Sequence, residues 1–346
     1  MPGWHRPRID GRCCVRILIV KLSSLGDVVH AMPVVHDILA IHPNALIDWV
    51  VEPGFAPLVR HVVGVNEVIE CALRRWTKAW WTAGVRAEWR AFRARLQRHR
   101  YDVVLDLQGL TKSAVIARMA HGTSYGLANR TEGAGFEAPA RWLVNHAIRI
   151  EPRTHALDRS RELAARALGY LLQGSPCFGL EAHHPHQAAS TKSLNVAQAQ
   201  PTVVFVHGTS RDDKLWPEAN WIELGRRVIA QGWRIALPHA GALERSRAQR
   251  LQAALGSATE IWPEMGLDAL TDRMGEFQGV IGVDSGLSHI AVALNLPHVQ
   301  LYNFATAWRT GPQEAHGHRH QVSVQGEPAP PVDTVWAAWM RVRAAA

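Results

Sequence analysis

Apolar residues along the chain come in short β-branched bursts, separated by longer stretches where they recur every three or four positions. Val15-Arg-Ile-Leu-Ile-Val20 is the first burst and predicts a buried strand. The turn Lys21-Leu-Ser-Ser-Leu-Gly-Asp27 follows, then a helical pattern from Val28 to about Ile41, closed by His42-Pro43-Asn44. Further strands are predicted at Leu46 to Val51, Glu67 to Glu70 and Asp102 to Leu107, and helices at Val85 to His99, Leu110 to Ala120 and His155 to Leu168. From Glu181 to Pro201 the chain is rich in Ala, Gln, His and Ser and has no apolar period, which reads as a linker. The alternation then resumes. Strands are expected at Thr202 to Val206, Arg234 to Leu237, Gly279 to Val283 and His298 to Tyr302, with helices at Glu218 to Ala230, Leu243 to Leu255, Leu287 to Leu294 and Val332 to Val342. Strands alternating with helices predict α/β architecture with a parallel sheet on each side of the linker.

The 346 residues divide into a flexible extension (1–14), a first domain (15–180), the linker (181–201), a second domain (202–325) and a C-terminal helical segment (326–346). Two α/β domains joined in this way imply a cleft. In open parallel sheets, ligands bind beyond the carboxyl ends of the strands. The loops after Val20, Val206 and Val283 are therefore the candidates.

Composition changes this picture little. With 47% hydrophobic and 20% charged residues the chain is neither disordered, collagenous nor a coiled coil. Cys13, Cys14, Cys71 and Cys177 form no C-x-x-C pair, which argues against a disulfide scaffold or a structural zinc and favours a reducing compartment. The start, from Met1 to Val20, is a poor signal peptide because Arg16 and Lys21 interrupt and close its apolar run. Asp284, Ser285, Ser288, His289 and Asn295 break the nearest candidate for a membrane span.

Charge changes it more. The net charge of +8 lies entirely between Arg74 and Arg100, where nine Lys/Arg face one acid, Glu88, while the rest of the chain holds 29 of each sign. Trp76, Trp80, Trp81 and Trp89 are interleaved with this patch. A local patch of this kind points to a discrete anionic partner such as a lipid surface or, in a different class of protein, a nucleic acid. A solvated helix face is the plainer reading.

Each candidate loop admits a plain and a sharper reading. In Ser23-Ser-Leu-Gly-Asp27, small residues before a helix leave N–H groups for an anion, and Asp27 either caps the helix or serves as a carboxylate base. In His207-Gly-Thr-Ser-Arg-Asp-Asp-Lys-Leu-Trp-Pro217, the hydroxyls of Thr209 and Ser210 and the charge of Lys214 suit a diphosphate, or form a polar turn before a helix. Asp284-Ser-Gly-Leu-Ser-His289 presents another helix N-terminus, or an N-cap over a core helix. Neither G-x-G-x-x-G nor G-x-x-x-x-G-K-[ST] occurs in these loops, so dinucleotide and P-loop fingerprints are missing.

Taken in order, these segments resemble glycosyltransferase family 9, the heptosyltransferases of lipopolysaccharide inner-core synthesis. The carrying residues are Ile19-Val-Lys-Leu-Ser-Ser-Leu-Gly-Asp-Val-Val-His30, Asp48-Trp-Val-Val-Glu52, Arg74-Arg-Trp-Thr-Lys-Ala-Trp80 and Asp106-Leu-Gln-Gly-Leu-Thr-Lys-Ser113. In the second half they are Arg211-Asp-Asp-Lys-Leu-Trp-Pro217 and Val283-Asp-Ser-Gly-Leu-Ser-His289. The Arg-Arg-Trp-x-Lys-Ala-Trp stretch favours type I members over type II.

The resemblance implies a GT-B fold, with two Rossmann-like domains, acceptor bound mainly by the first and nucleotide sugar by the second. It implies ADP-L-glycero-β-D-manno-heptose as donor and Kdo2-lipid A as acceptor. Asp27 matches the general base and Lys214 the residue that neutralises the diphosphate. Thr209, Ser210, Asp284, Ser285, Gly286 and His289 match donor-binding positions, Glu244 a ribose contact, and Met265 a neighbour of the adenine. Ser23, Gly26, Arg74, Arg75, Lys78 and Arg86 are the expected acceptor-side residues. No Asp-x-Asp pair presents itself as a metal clamp, so the expectation is no cofactor and no essential metal. The expected setting is the cytoplasmic face of an anionic inner membrane, with no nucleic-acid partner. The chain departs from type I relatives at Asn303-Phe-Ala-Thr-Ala-Trp308, where they carry Gly-Pro-Thr-Asp, and in the His-rich stretch His183-His-Pro-His186.

Overall fold

A computed structural model describes residues 15–180 and 200–345. The expected basic extension, with Cys13 and Cys14, and nearly all of the expected linker lie outside the described residues. The chain divides between Gly179 and Leu180 into two compact units.

In the first unit six strands form one parallel sheet: β1 (Arg16–Val20), β2 (Leu46–Val51), β3 (Val65–Glu70), β4 (Arg100–Asp106), β5 (His121–Leu127) and β6 (His146–Ile148). Their order is β3-β2-β1-β4-β5-β6. In the second unit β7 (Thr202–Val206), β8 (Arg234–Leu237), β9 (Thr259–Ile261), β10 (Gly279–Val283), β11 (His298–Tyr302) and β12 (Gln321–Gln325) form a second parallel sheet. Its order is β12-β11-β10-β7-β8-β9. Counted from its own first strand, each sheet runs 3-2-1-4-5-6, the order of doubly wound nucleotide-binding sheets. The order reverses between β1 and β4 in one unit and between β7 and β10 in the other. The loops at those two points are where a ligand meets the sheet edge.

The strands are apolar because helices cover both faces of each sheet. β7 and β10 are buried along their whole length. Leu18, Val20, Val50, Phe92, Leu96 and Val104 pack one core of the first unit. Phe205, Trp216, Trp221, Leu237, Ile281 and Trp339 belong to the core of the second. Trp339 comes from the last helix, Val332–Ala344, which packs on β11 and β12. This C-terminal helix lies within the second unit.

Several expected elements change. The helix expected from Val28 to Ile41 is two helices, Leu25–Ala31 and Pro33–Ile41. Pro33 has no N–H to continue the first ladder, and the Met32 N–H turns back to Val29 O at 3.1 Å. The strands β5, β6, β9 and β12 carry little sequence signal. β5 reads His-Gly-Thr-Ser-Tyr-Gly-Leu, with two glycines and three hydroxyl residues, and β6 and β9 have three residues each. Among the described residues no helix is long and apolar enough to cross a membrane.

Candidate functional site

In the first unit, β1 ends at Val20 and the chain turns through Lys21–Ser24 into the helix Leu25–Ala31, one residue of which is Asp27. Asp27 Oδ2 accepts the Ser24 N–H at 3.2 Å and the Ser24 hydroxyl at 2.9 Å. Asp27 therefore closes the start of its own helix, as the plain reading has it. Its other oxygen does something a cap does not need. Oδ1 lies 3.7 Å from Lys21 Nζ and 3.7 Å from the Arg159 guanidinium. Lys21 is 2% exposed and donates to Leu107 O at 2.9 Å. Arg159 is buried on the helix Ala156–Leu168.

Burial by itself would raise the Asp27 pKa, but the two cations and the Ser24 hydrogen bonds outweigh it and hold the carboxyl below its ordinary range. With its side chain 36% exposed, Asp27 is an ionised carboxylate that solvent or a ligand can reach. Burial pushes Lys21 in the lowering direction, against the attraction of Asp27.

The loop after β4 braces this arrangement. Gln108 Oε1 accepts the N–H groups of Leu22 at 3.1 Å and Ser23 at 3.2 Å. Asp106, at the end of β4 and beside Val20 in register, accepts from the N–H groups of Gln108 at 3.0 Å and Gly109 at 3.3 Å. Gly109 has φ +77°, which only glycine adopts without strain. Burial raises the Asp106 pKa to about 6, against the pull of its hydrogen bonds and of Lys21. These contacts correct one expectation. The N–H groups of Leu22, Ser23 and Ser24 are not free for an anion, because Gln108 and Asp27 take them. Ser23 is buried, and Gly26 lies partly exposed in the first helical turn.

In the second unit the loops after β7 and β10 meet. Lys214 Nζ lies 2.6 Å from Asp284 Oδ2, and the Thr209 hydroxyl donates to Asp284 O at 3.2 Å. His289 Nε2 approaches Asp284 Oδ1 at 3.5 Å. Burial would raise the Asp284 pKa, but His289 and Lys214 pull it well below the carboxylate range. The Ser285 hydroxyl is buried and has no hydrogen-bond partner among the described residues. Ser285 precedes the helix Gly286–Ala293, so its unmet hydroxyl sits at a helix start. Ser210 is exposed. Glu244 accepts the Ala240 N–H at 2.7 Å, and a Cβ at Gly208 would lie 2.3 Å from its carboxylate carbon. Gly208 thus lets Glu244 lie against the β7 loop. Met265 is half-buried in the loop after β9. All of these residues stand at the carboxyl edge of the second sheet. Asn303, in the segment that departs from the type I pattern, donates to Asp213 O and Leu215 O, each at 2.9 Å, and so braces the turn that carries Lys214.

The basic patch is partly neutralised. Arg75 pairs with Glu88, and Arg95 and Arg98 pair with Glu67. Among the described residues Arg74, Lys78 and Arg86 carry no ion pair, and Arg86 donates to Trp81 O at 2.7 Å. Lys21, Gln108, Arg159 and Asn303 join the site from outside the residues expected of it. Lys21 and Gln108 stood inside segments already noted, and the switch point between β1 and β4 was the signal that could have found them. Arg159 lies 132 residues from Asp27 in the chain and gave no local sign.

Residues 89–332 match the family model described as glycosyltransferase family 9 (heptosyltransferase). The chain is 40% identical over 292 residues to lipopolysaccharide heptosyltransferase 1 of Salmonella typhimurium, covering 83% of this chain and 88% of that one. Against lipopolysaccharide heptosyltransferase 2 of Escherichia coli K12 the identity is 25% over 305 residues, covering 83% and 82%. Among solved structures, E. coli heptosyltransferase WaaC with ADP aligns with a TM-score of 0.83 at 35% identity, over 95% of this chain and 100% of that one.

Proposed function

The chain belongs to glycosyltransferase family 9, the heptosyltransferases, and from that premise we propose how its residues transfer a heptose and to what. It is a glycosyltransferase of GT-B fold that transfers heptose in lipopolysaccharide inner-core biosynthesis. The reading advanced here is that it moves L-glycero-D-manno-heptose from ADP-L-glycero-β-D-manno-heptose to the Kdo of Kdo2-lipid A. The observation that carries it is the 40% identity to a type I relative, against 25% to a type II relative. The same solved relative, E. coli heptosyltransferase WaaC, is also known with ADP-2-deoxy-2-fluoro heptose, which supports an ADP-sugar as donor. A basic nucleic-acid-binding protein is not favoured, because it leaves the second-unit loops unexplained.

In this reading the acceptor hydroxyl oxygen attacks the anomeric carbon from the face opposite ADP. The bond from that carbon to the β-phosphate oxygen breaks, and its electron pair leaves with ADP. The proton goes to Asp27. A carboxylate held below its usual pKa is a weak base at rest, so it takes the proton only as the hydroxyl acidifies in the transition state. Inversion turns the β-linked donor into an α-linked product. Lys214 shifts its charge from Asp284 toward the diphosphate, and Ser285, Thr209 and the helix start at Gly286 supply donors. Glu244 holds the ribose and Met265 lies beside the adenine. No step calls for a metal. Arg74, Lys78 and Arg86, with Arg75 at their edge, meet acceptor phosphates at the cytoplasmic face of the inner membrane of a Gram-negative cell.

The test is to incubate the protein with ADP-heptose and Kdo2-lipid A and to look for a heptose-sized mass gain on the acceptor. No gain, or a gain only on an acceptor that already carries one heptose, would reject the reading.

A further inference from the structure

Between the helices Leu73–Ala79 and Ala83–Leu96 lies an open cavity of about 360 Å³. Leu73, Trp76, Trp80, Val85 and Trp89 supply its apolar walls, and the Thr77 and Arg86 side chains complete them. Trp76, Trp89 and Phe92 pack against one another behind it, with ring centroids 5.3–5.6 Å apart. The Trp80 wall is 66% exposed, and its chain neighbour Trp81 is 62% exposed.

Three of the few polar groups of this lining are already engaged. The Trp76 indole N–H donates to Glu88 at 2.7 Å. The Thr77 hydroxyl donates to Leu73 O at 3.0 Å, and Arg86 donates to Trp81 O at 2.7 Å. A sugar or a nucleobase entering here would lose water and find few partners for its polar atoms. A hydrocarbon chain loses nothing of the kind. At about 30 Å³ for a water-sized group, the cavity admits on the order of ten methylenes. Arg74 and Lys78, on the helix that supplies one wall, are both exposed and, among the described residues, without an ion pair. An apolar trough beside unpaired cations complements an amphiphile with an anionic head and an acyl tail.

We propose that this groove is an acyl-chain seat, which takes one hydrocarbon chain of the lipid-linked acceptor while Arg74 and Lys78 hold the phosphate beside it. This deepens the acceptor reading above and rests on it. The groove makes the enzyme sensitive to the lipid part of its acceptor as well as to the sugar that receives the heptose.

The experiment compares two forms of the Kdo-bearing acceptor, one with short acyl chains that keep it monomeric in solution and one stripped of acyl chains. Binding and heptose transfer are measured for both. Each methylene withdrawn from water adds roughly fourfold to affinity, so the acylated form should bind at least tenfold more tightly. Trp80→Ser removes one exposed wall, and it should abolish most of that preference while leaving affinity for the stripped form unchanged. Circular dichroism confirms that the variant is folded. Leu73→Ser, from another wall, should act in the same direction. Equal binding of the two forms, or an acyl preference untouched in both variants, would overturn the proposal. So would self-association of the protein that depends on Trp80, since the groove would then seat a second copy. If neither form accepts heptose, the acceptor reading itself is at fault. If both accept it and bind alike, only the groove proposal falls.

Discussion

Lys214 Nζ and Asp284 Oδ2 lie 2.6 Å apart, a cation from the loop after β7 locked to a carboxylate from the loop after β10. The proposed anion-binding charge is thus already in use, and a diphosphate must compete with Asp284 for it. Such a pair keeps the lysine extended and in place before the donor arrives, so less ordering is left for the binding step.

Replacing Lys214 by Ala should raise the KM for ADP-heptose and lower kcat by about 10²–10³, the range for removing one stabiliser of a leaving group. It should also lower the melting temperature, because Asp284 is left as a buried charge that has lost its lysine partner. The double variant Lys214→Ala/Asp284→Asn should recover part of the lost stability and none of the activity. Adding EDTA to the unaltered enzyme should change its rate far less. Loss of activity in EDTA with recovery on added magnesium would refute the metal-free mechanism.

Asp27→Asn should cut kcat by about 10²–10⁴, as for loss of a general base, with the donor KM nearly unchanged. Because Lys21 and Arg159 depress the pKa of this carboxyl, it stays ionised down to below the ordinary value of about 3.9. Loss of activity through its protonation therefore belongs below pH 4. Its contribution to stability is present above that pH and is lost as pH falls through the depressed pKa. A pH–rate profile on a folded sample distinguishes this from a base titrating near neutrality.

Asp106 behaves in the opposite sense. Its folded pKa of about 6 is above its unfolded value, so the stability it contributes when protonated is lost as pH rises toward 6. The difference in unfolding free energy between Asp106→Asn and the unaltered chain should grow between about pH 4 and pH 6 in favour of the variant, by up to ~3 kcal/mol. Above pH 6 it should level off. Denaturant titrations at pH 4, 5, 6 and 7.5 measure it, and a flat difference would show that Asp106 is ionised throughout.

The cations of the patch should not act alike. Changing Arg74, Lys78 and Arg86 to Ser should weaken binding to phosphatidylglycerol-containing vesicles by roughly 1 kcal/mol per residue, with a strong salt dependence. The same change at Arg75, Arg95 and Arg98 should do less, because these three are paired with Glu88 and Glu67. ADP-heptose affinity should be unmoved in both triples. Equal losses in the two would mean that ion pairing does not set the binding face.

Strands with β-branched runs were legible because a sheet covered on both faces needs them. β1, β7 and β10 are of this kind. β5 was not, since its two glycines and hydroxyl side chains are tolerated only where neighbouring strands supply the order. The chemistry of the site divides the same way. Asp27, Lys214 and Asp284 stand close after clear strands, and their residue types announce a charge. The pairing of Lys214 with Asp284 joins positions 70 residues apart, and nothing local in the sequence marks it. Nor could spacing show that Asn303 braces the Lys214 turn, because its segment breaks the family pattern.

The Gln108 side-chain carbonyl that holds the amides of Leu22 and Ser23 also makes those two protons a natural gauge. Each exchanges with heavy water only in the moments when the loop after β4 lets go of the loop after β1. Their exchange rates, read residue by residue in the resting enzyme, would report how often the carboxylate of Asp27 is out of place, without any substrate, label or mutation to disturb it.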